Sequence, residues 1–268
     1  MSHLLAAEWL KLRYRWMPRV IVLIMLLIMA LIMWGISTSN QRPNVLLPRS
    51  LILALFFASA FAPFLWPVLG GSWAGNEYGW GTVRLILSRR PNRVQWIAAA
   101  LLILVAVAFL ALIASLVVGA IAGLIVKGLT GEATGSLQDP YAWIVVKSFL
   151  GAWYVLIFYL VLAYSLGTIF RSGAVGIGLG IGITVAELIV FGIFNGLGGT
   201  WRDIADHFPY AYTQALPNRL VREGTTSSFA DIPSHSPSAV ASVIGIAIYL
   251  AILLGATMLV VTRRDVTS

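Results

Sequence analysis

The chain has 268 residues, of which 59% are hydrophobic and only 10% charged, with a net charge of +8 and a mean hydropathy of +0.90. Soluble domains carry about 25% charged residues, so this composition excludes that class; several apolar runs of bilayer length point to a membrane protein instead. The basic residues lie scattered between apolar runs, which argues against nucleic acid as a partner, and the absence of cysteine excludes disulfides and thiolate-held metal or iron–sulfur centres.

In chain order, residues 1–19 form an amphipathic helix. Leu5, Trp9, Leu12 and Trp16 share one face, and Glu8, Lys11 and Arg15 share another. Two tryptophans on one apolar stripe suit an elbow helix lying in the membrane interface. Pro18 breaks this helix and opens the next. Six spans follow, at about 20–36, 51–70, 97–126, 144–166, 174–194 and 239–262. The first run is longer than a signal-peptide core and is read as a span. Each span must be helical, because bilayer hydrocarbon offers no partner for free backbone groups. The third run exceeds the bilayer's need and must tilt or project. The fold class is therefore an all-α membrane protein in one transmembrane domain, 1–268, with the loop 71–95 on one side and the loop 195–238 on the other. The long 195–238 loop is expected to carry short helices of its own.

Arginine and lysine set the orientation. With the N-terminus inside, Lys11, Arg13, Arg15, Arg19, Arg84, Arg89, Arg90, Arg93, Arg171, Arg263 and Arg264 fall on the cytoplasmic side. Arg42, Arg49, Lys127, Arg202, Arg219 and Arg222 fall outside. The bias puts both termini in the cytoplasm, in agreement with an even number of spans.

Within the spans, chemistry is sparse. Glu187 and Lys147 are the intramembrane charges; an ion pair between them is expected, the alternative being a substrate path lined by Glu187. Trp153, Tyr154, Phe158 and Tyr159 crowd the fourth span, as packing or as the wall of a lipophilic path. Gly176/Gly180 and Gly178/Gly182 form interleaved G-x-x-x-G pairs suited to close helix packing. Asp203, Asp206 and His207 are too few for a metal site, and no phosphate-binding loop is present, so no catalytic, cofactor or metal residue is assigned.

The segment 77–93 is the polar exception. Glu77, Gly81, Thr82, Arg84, Leu85, Arg89, Arg90, Pro91 and Arg93 mix basic and apolar surface, which suits docking into a protein groove. Gly75-Asn76-Glu77 reads as a helix start with Asn76 as cap, and Asn92 as the cap of the helix entering the third span.

On Glu77, Gly81-Thr82, the apolar stretch 83–87 and Pro91-Asn92-Arg93, the chain resembles the membrane subunit of ABC transporters of the ABC-2 (type-2 exporter) permease family. The elbow helix, six spans and long last outer loop extend the resemblance over the whole chain as architecture. It departs at Ala98-Ala99-Ala100, where relatives often carry a lysine. The resemblance implies an exporter subunit in a bacterial-type plasma membrane, paired with a second permease copy in a homodimer. ATP and Mg²⁺ would sit on a separate ABC-type ATPase, two copies docking on a coupling helix at 77–87. It further implies short re-entrant helices at 195–223 that close the outer gate. Apart from lipid, no other partner is implied. The alternative is a non-transport membrane scaffold or membrane-enzyme subunit anchoring a cytoplasmic protein.

Overall fold

The computed structural model describes residues 2–79, 92–135, 137, 140–225 and 236–263. Among these residues the chain is all-helical, without a strand. In order the helices are α1 (Ser2–Tyr14), α2 (Met17–Ser37), α3 (Arg49–Ala60), α4 (Ala62–Gly79), α5 (Arg93–Thr130), α6 (Tyr141–Ile169), α7 (Gly173–Leu197), α8 (Gly199–Ala205), α9 (Pro209–Gly224) and α10 (Ala239–Arg263). Five of them, α2, α5, α6, α7 and α10, are long and apolar enough to cross a membrane, and α3 with α4 adds a sixth if the bent pair is one span. The apolar helices mark a multi-pass membrane protein.

Helix boundaries follow local chemistry. Pro18 sits in the first turn of α2, where its missing N–H has no intrahelical partner to lose. Asn92 caps α5, its side chain accepting from the Gln95 N–H at 3.1 Å, as its sequence position predicts. Gly131 closes the same helix in the left-handed region at φ 69°. The α3–α4 bend of 56° follows from Pro63, which has no N–H to offer the Ser59 carbonyl.

The interior is organised around α4 and α6. Trp66 and Trp73 of α4 and Tyr159 and Tyr164 of α6 are fully buried. A Cβ on Gly70 would strike the Leu160 carbonyl, one on Gly71 the backbone at Gly176 and Ile177, and one on Gly75 the backbone of Gly173. Three helix backbones thus touch where the sequence supplies glycine, the close approach that drives association in lipid. Of the two interleaved pairs on α7, Gly176 and Gly180 lie against Gly167 and Ala163 of α6, whereas Gly178 and Gly182 have open space beside them. The alternation has a simple cause: residues two apart on a helix do not share a face.

The expected helix start at 75–77 is corrected by this packing. Gly75, Asn76 and Glu77 lie within the closing turns of α4, which runs on to Gly79. Asn76 is therefore not an N-cap. The steric fit of Gly75 against α7 keeps the helix going where composition alone suggested a break.

Candidate functional site

The densest polar cluster in the described structure joins α1 to the last turns of α4. Glu8 and Glu77 are both buried, each 3% exposed. Lys11 Nζ lies 2.6 Å from Glu8 Oε1 and 3.0 Å from Glu77 Oε1. Arg15 Nη2 lies 3.1 Å from Glu77 Oε1, and its guanidinium stands over the Trp73 ring at 4.6 Å. Trp73 Nε1 donates to Glu8 Oε2 at 3.0 Å, closing the ring of contacts.

Sequence spacing builds both halves. Glu8, Lys11 and Arg15 fall three and four apart on α1, so they project to one side; Trp73 and Glu77 are four apart on α4 and do the same. A carboxylate near a helix C-terminus is opposed by the helix dipole, and a buried one is costly unless paired. Glu77 has both handicaps, and Lys11 and Arg15 supply the compensating charge. This orients α1, with Leu5 and Leu12 packed on the core and Trp9 exposed; the single helix and apolar stripe expected over 1–19 are corrected, since α1 ends at Tyr14 and Trp16 lies exposed beyond it.

The other described end of the basic segment is anchored too. Arg93 Nη1 donates to the Val261 carbonyl at 2.5 Å, in the last turn of α10. A cation on a terminal carbonyl is favourable in both hydrogen bonding and dipole. Glu77 thus ties one end to α1, and Arg93 ties the other to α10. Gly81, Thr82, Arg84, Leu85, Arg89, Arg90 and Pro91 lie outside the described residues.

The expected Glu187–Lys147 pair does not form. Lys147 Nζ meets Glu223 Oε2 at 2.6 Å, linking α6 to the C-terminal end of α9. Glu187 Oε2 accepts the Tyr210 backbone N–H at 3.1 Å. Tyr210 is in the first turn of α9, so Glu187 satisfies one of the orphan donors there and complements the positive helix end. The charges of the spans alone do not reveal this, because the partner of Glu187 is a backbone N–H of α9, between the spans.

That helix, α9, lies within the segment that joins α7 to α10. It folds back against α3, α6, α7 and α10. Tyr159 and Thr213 share a hydroxyl hydrogen bond at 2.8 Å, and Thr213 donates to the Tyr210 carbonyl at 3.1 Å. Burial pushes the Tyr210 phenol above its ordinary pKa. The aromatic residues of α6 are engaged in similar ways. Phe158 and Tyr159 are buried, Trp153 donates to the Val105 carbonyl at 3.1 Å, and Tyr154 donates to the Val243 carbonyl at 3.2 Å. Asp203 and His207 meet only through the Asp203 carbonyl and His207 Nδ1, at 2.8 Å.

Sequence reasoning missed Trp73 as the hinge of the charged ring and Tyr210 as the partner of Glu187. The first had a signal: Trp73 and Glu77 share the helix face that Glu8 and Arg15 need. The second had none.

The family described as a protein of unknown function (DUF2705) matches residues 21–267. The chain belongs to that family. No curated relative matches it. The match begins inside α2 and runs past the end of α10, so in this DUF2705 member the charged ring joins a helix outside the matched region to one inside it.

Proposed function

We propose that this chain is the permease subunit of an ATP-binding cassette exporter of the ABC-2 type. In this reading α1 is the elbow helix, and six spans place both termini in the cytoplasm of a bacterial-type plasma membrane. The segment 77–93 receives two ABC-type ATPase subunits, one on each copy of a permease homodimer. ATP and Mg²⁺ belong to those subunits, and this chain does no covalent chemistry.

The observation that carries the reading is the anchoring of both ends of the basic segment. A loop that only held a partner would need no stiff connection to the helix bundle. Glu77 is fixed by Lys11 and Arg15, and α4 beyond it packs glycine to backbone against α6 and α7. Arg93 is fixed to α10. A displacement of Glu77 or Arg93 therefore bears on α1, α6, α7 and α10 through these contacts. On the opposite side, α9 supports the role of outer gate, since it packs among α3, α6, α7 and α10 and is held by Glu187 at Tyr210 and by Tyr159 at Thr213.

The test is composition of the purified complex. Tagged chain extracted in mild detergent should carry an ABC-type ATPase in equal stoichiometry, two copies of each by native mass spectrometry. Stable isolation of the chain with a different cytoplasmic protein, and no ATPase, would favour the membrane-scaffold alternative.

A further inference from the structure

An apolar groove of about 520 Å³ lies between α1, α2 and α5. Its size is within the range of about 300–1,000 Å³ common to small-molecule sites. Leu26 of α2 and Val107 and Ala111 of α5 line it, Trp9 of α1 walls it, and Arg13 and Arg19 stand at its rim. Arg19 reaches back across the α1–α2 connection and donates to the Arg13 carbonyl, which holds its guanidinium beside the Arg13 backbone.

Charge separates this rim from the ring beside it. Lys11 and Arg15 are matched by Glu8 and Glu77, whereas neither Arg13 nor Arg19 makes an ion pair among the described residues. Both are exposed. The rim thus carries two positive charges with no carboxylate among the described residues to meet them, above a largely apolar cleft.

The surroundings fix where the groove opens. Leu23, Leu27 and Leu31 of α2 are all more than half exposed, so this side of α2 faces hydrocarbon. Trp9, Tyr14 and Trp16 are likewise exposed around the elbow, at 52%, 73% and 77%. Exposed tryptophan and tyrosine beside an apolar span sit at headgroup depth. The arginines are therefore level with lipid phosphate, and the cleft runs toward the acyl region.

We propose that this groove binds an anionic glycerophospholipid of the surrounding bilayer. An acyl chain lies along Leu26, Val107 and Ala111, and the phosphate meets the guanidiniums of Arg13 and Arg19. Arginine suits phosphate because its planar fork donates two parallel hydrogen bonds. The proposal needs only the membrane setting and does not depend on the transporter reading.

Native mass spectrometry of the full chain in non-ionic detergent tests it, with dioleoylphosphatidylglycerol and dioleoylphosphatidylcholine added in equal amounts. Wild type should retain phosphatidylglycerol over phosphatidylcholine by about tenfold or more, the scale that two basic side chains near an anionic surface provide. R13Q/R19Q should abolish the preference, and both residues are exposed, so folding should survive. Ala111→Leu should cut retention of both lipids by filling the groove; Leu110→Trp at the exposed edge gives the same reading if Ala111→Leu fails to fold. Equal retention of the two lipids by wild type, or an unchanged preference in R13Q/R19Q, overturns the proposal. So does a dimer that R13Q/R19Q dissociates without any lipid preference, which would make the occupant a second copy.

Discussion

Trp73 and Glu8 lie 65 positions apart in sequence, and the indole N–H of one donates to the carboxylate of the other at 3.0 Å. This bond joins the first helix of the chain to the helix that ends at the basic segment. Around it, two buried carboxylates, two partly buried cations and one aromatic ring meet. Buried charges tolerate such a site only when each is matched, so removing one member has consequences for the others.

Glu77→Ala should lower stability by about 3 kcal/mol, the low end for breaking a buried ion pair, because Lys11 and Arg15 lose their shared acceptor. Trp73→Phe keeps the apolar bulk, leaves one Glu8 oxygen without its donor, and should cost about 1–2 kcal/mol. Thermal unfolding of the detergent-solubilised chain measures both. The double variant should cost less than the sum of the singles, because the ring acts as one unit.

Glu187 acts through the first turn of α9 rather than through Lys147. Glu187→Gln retains a carbonyl acceptor for the Tyr210 N–H and should stay near wild type in stability. Glu187→Leu removes the acceptor and should cost about 1–2 kcal/mol, as lost helix caps do. Hydrogen exchange should show the loss at the start of α9. A double-mutant cycle between Glu187 and Lys147 should give no coupling. The same cycle between Lys147 and Glu223 should give at most about 1 kcal/mol, since both side chains are partly exposed.

Glycines of α7 and α4 divide into two classes. Gly75→Ala and Gly176→Ala place a methyl against backbone and should impair assembly of the bundle. Gly178→Ala and Gly182→Ala meet open space and should be neutral, or stabilising by up to about 1 kcal/mol through helix propensity. Yield of monodisperse protein after extraction separates the two groups.

Much of the fold was legible in the sequence because a bilayer leaves few choices. Every apolar run is helical, and Pro18 in the first turn of α2 and Asn92 as the cap of α5 act where local chemistry puts them. What escaped was set by long-range contacts. The α3–α4 bend sits inside one apolar run, so hydropathy alone reads it as a single straight span. Asn76 has the chemistry of an N-cap, yet packing of Gly75 on Gly173 carries α4 past it. The partner of Glu187 is a backbone N–H, which no side-chain pattern announces. The charged face of α1 was visible in its spacing, but its partners lay on α4: Trp73 as donor to Glu8, and Glu77 as acceptor for Lys11 and Arg15.

The central claim is that the segment 77–93 receives an ATPase and passes its motion to the helices that Glu77 and Arg93 hold. ATP hydrolysis by the purified permease–ATPase complex, with Arg84→Glu and Gly81→Leu combined in the permease, tests it most directly. The account predicts that the variant chain inserts into the membrane and keeps its own thermal stability, while ATPase docking or stimulated hydrolysis falls sharply. A variant complex that forms, hydrolyses ATP and transports as wild type does would contradict it.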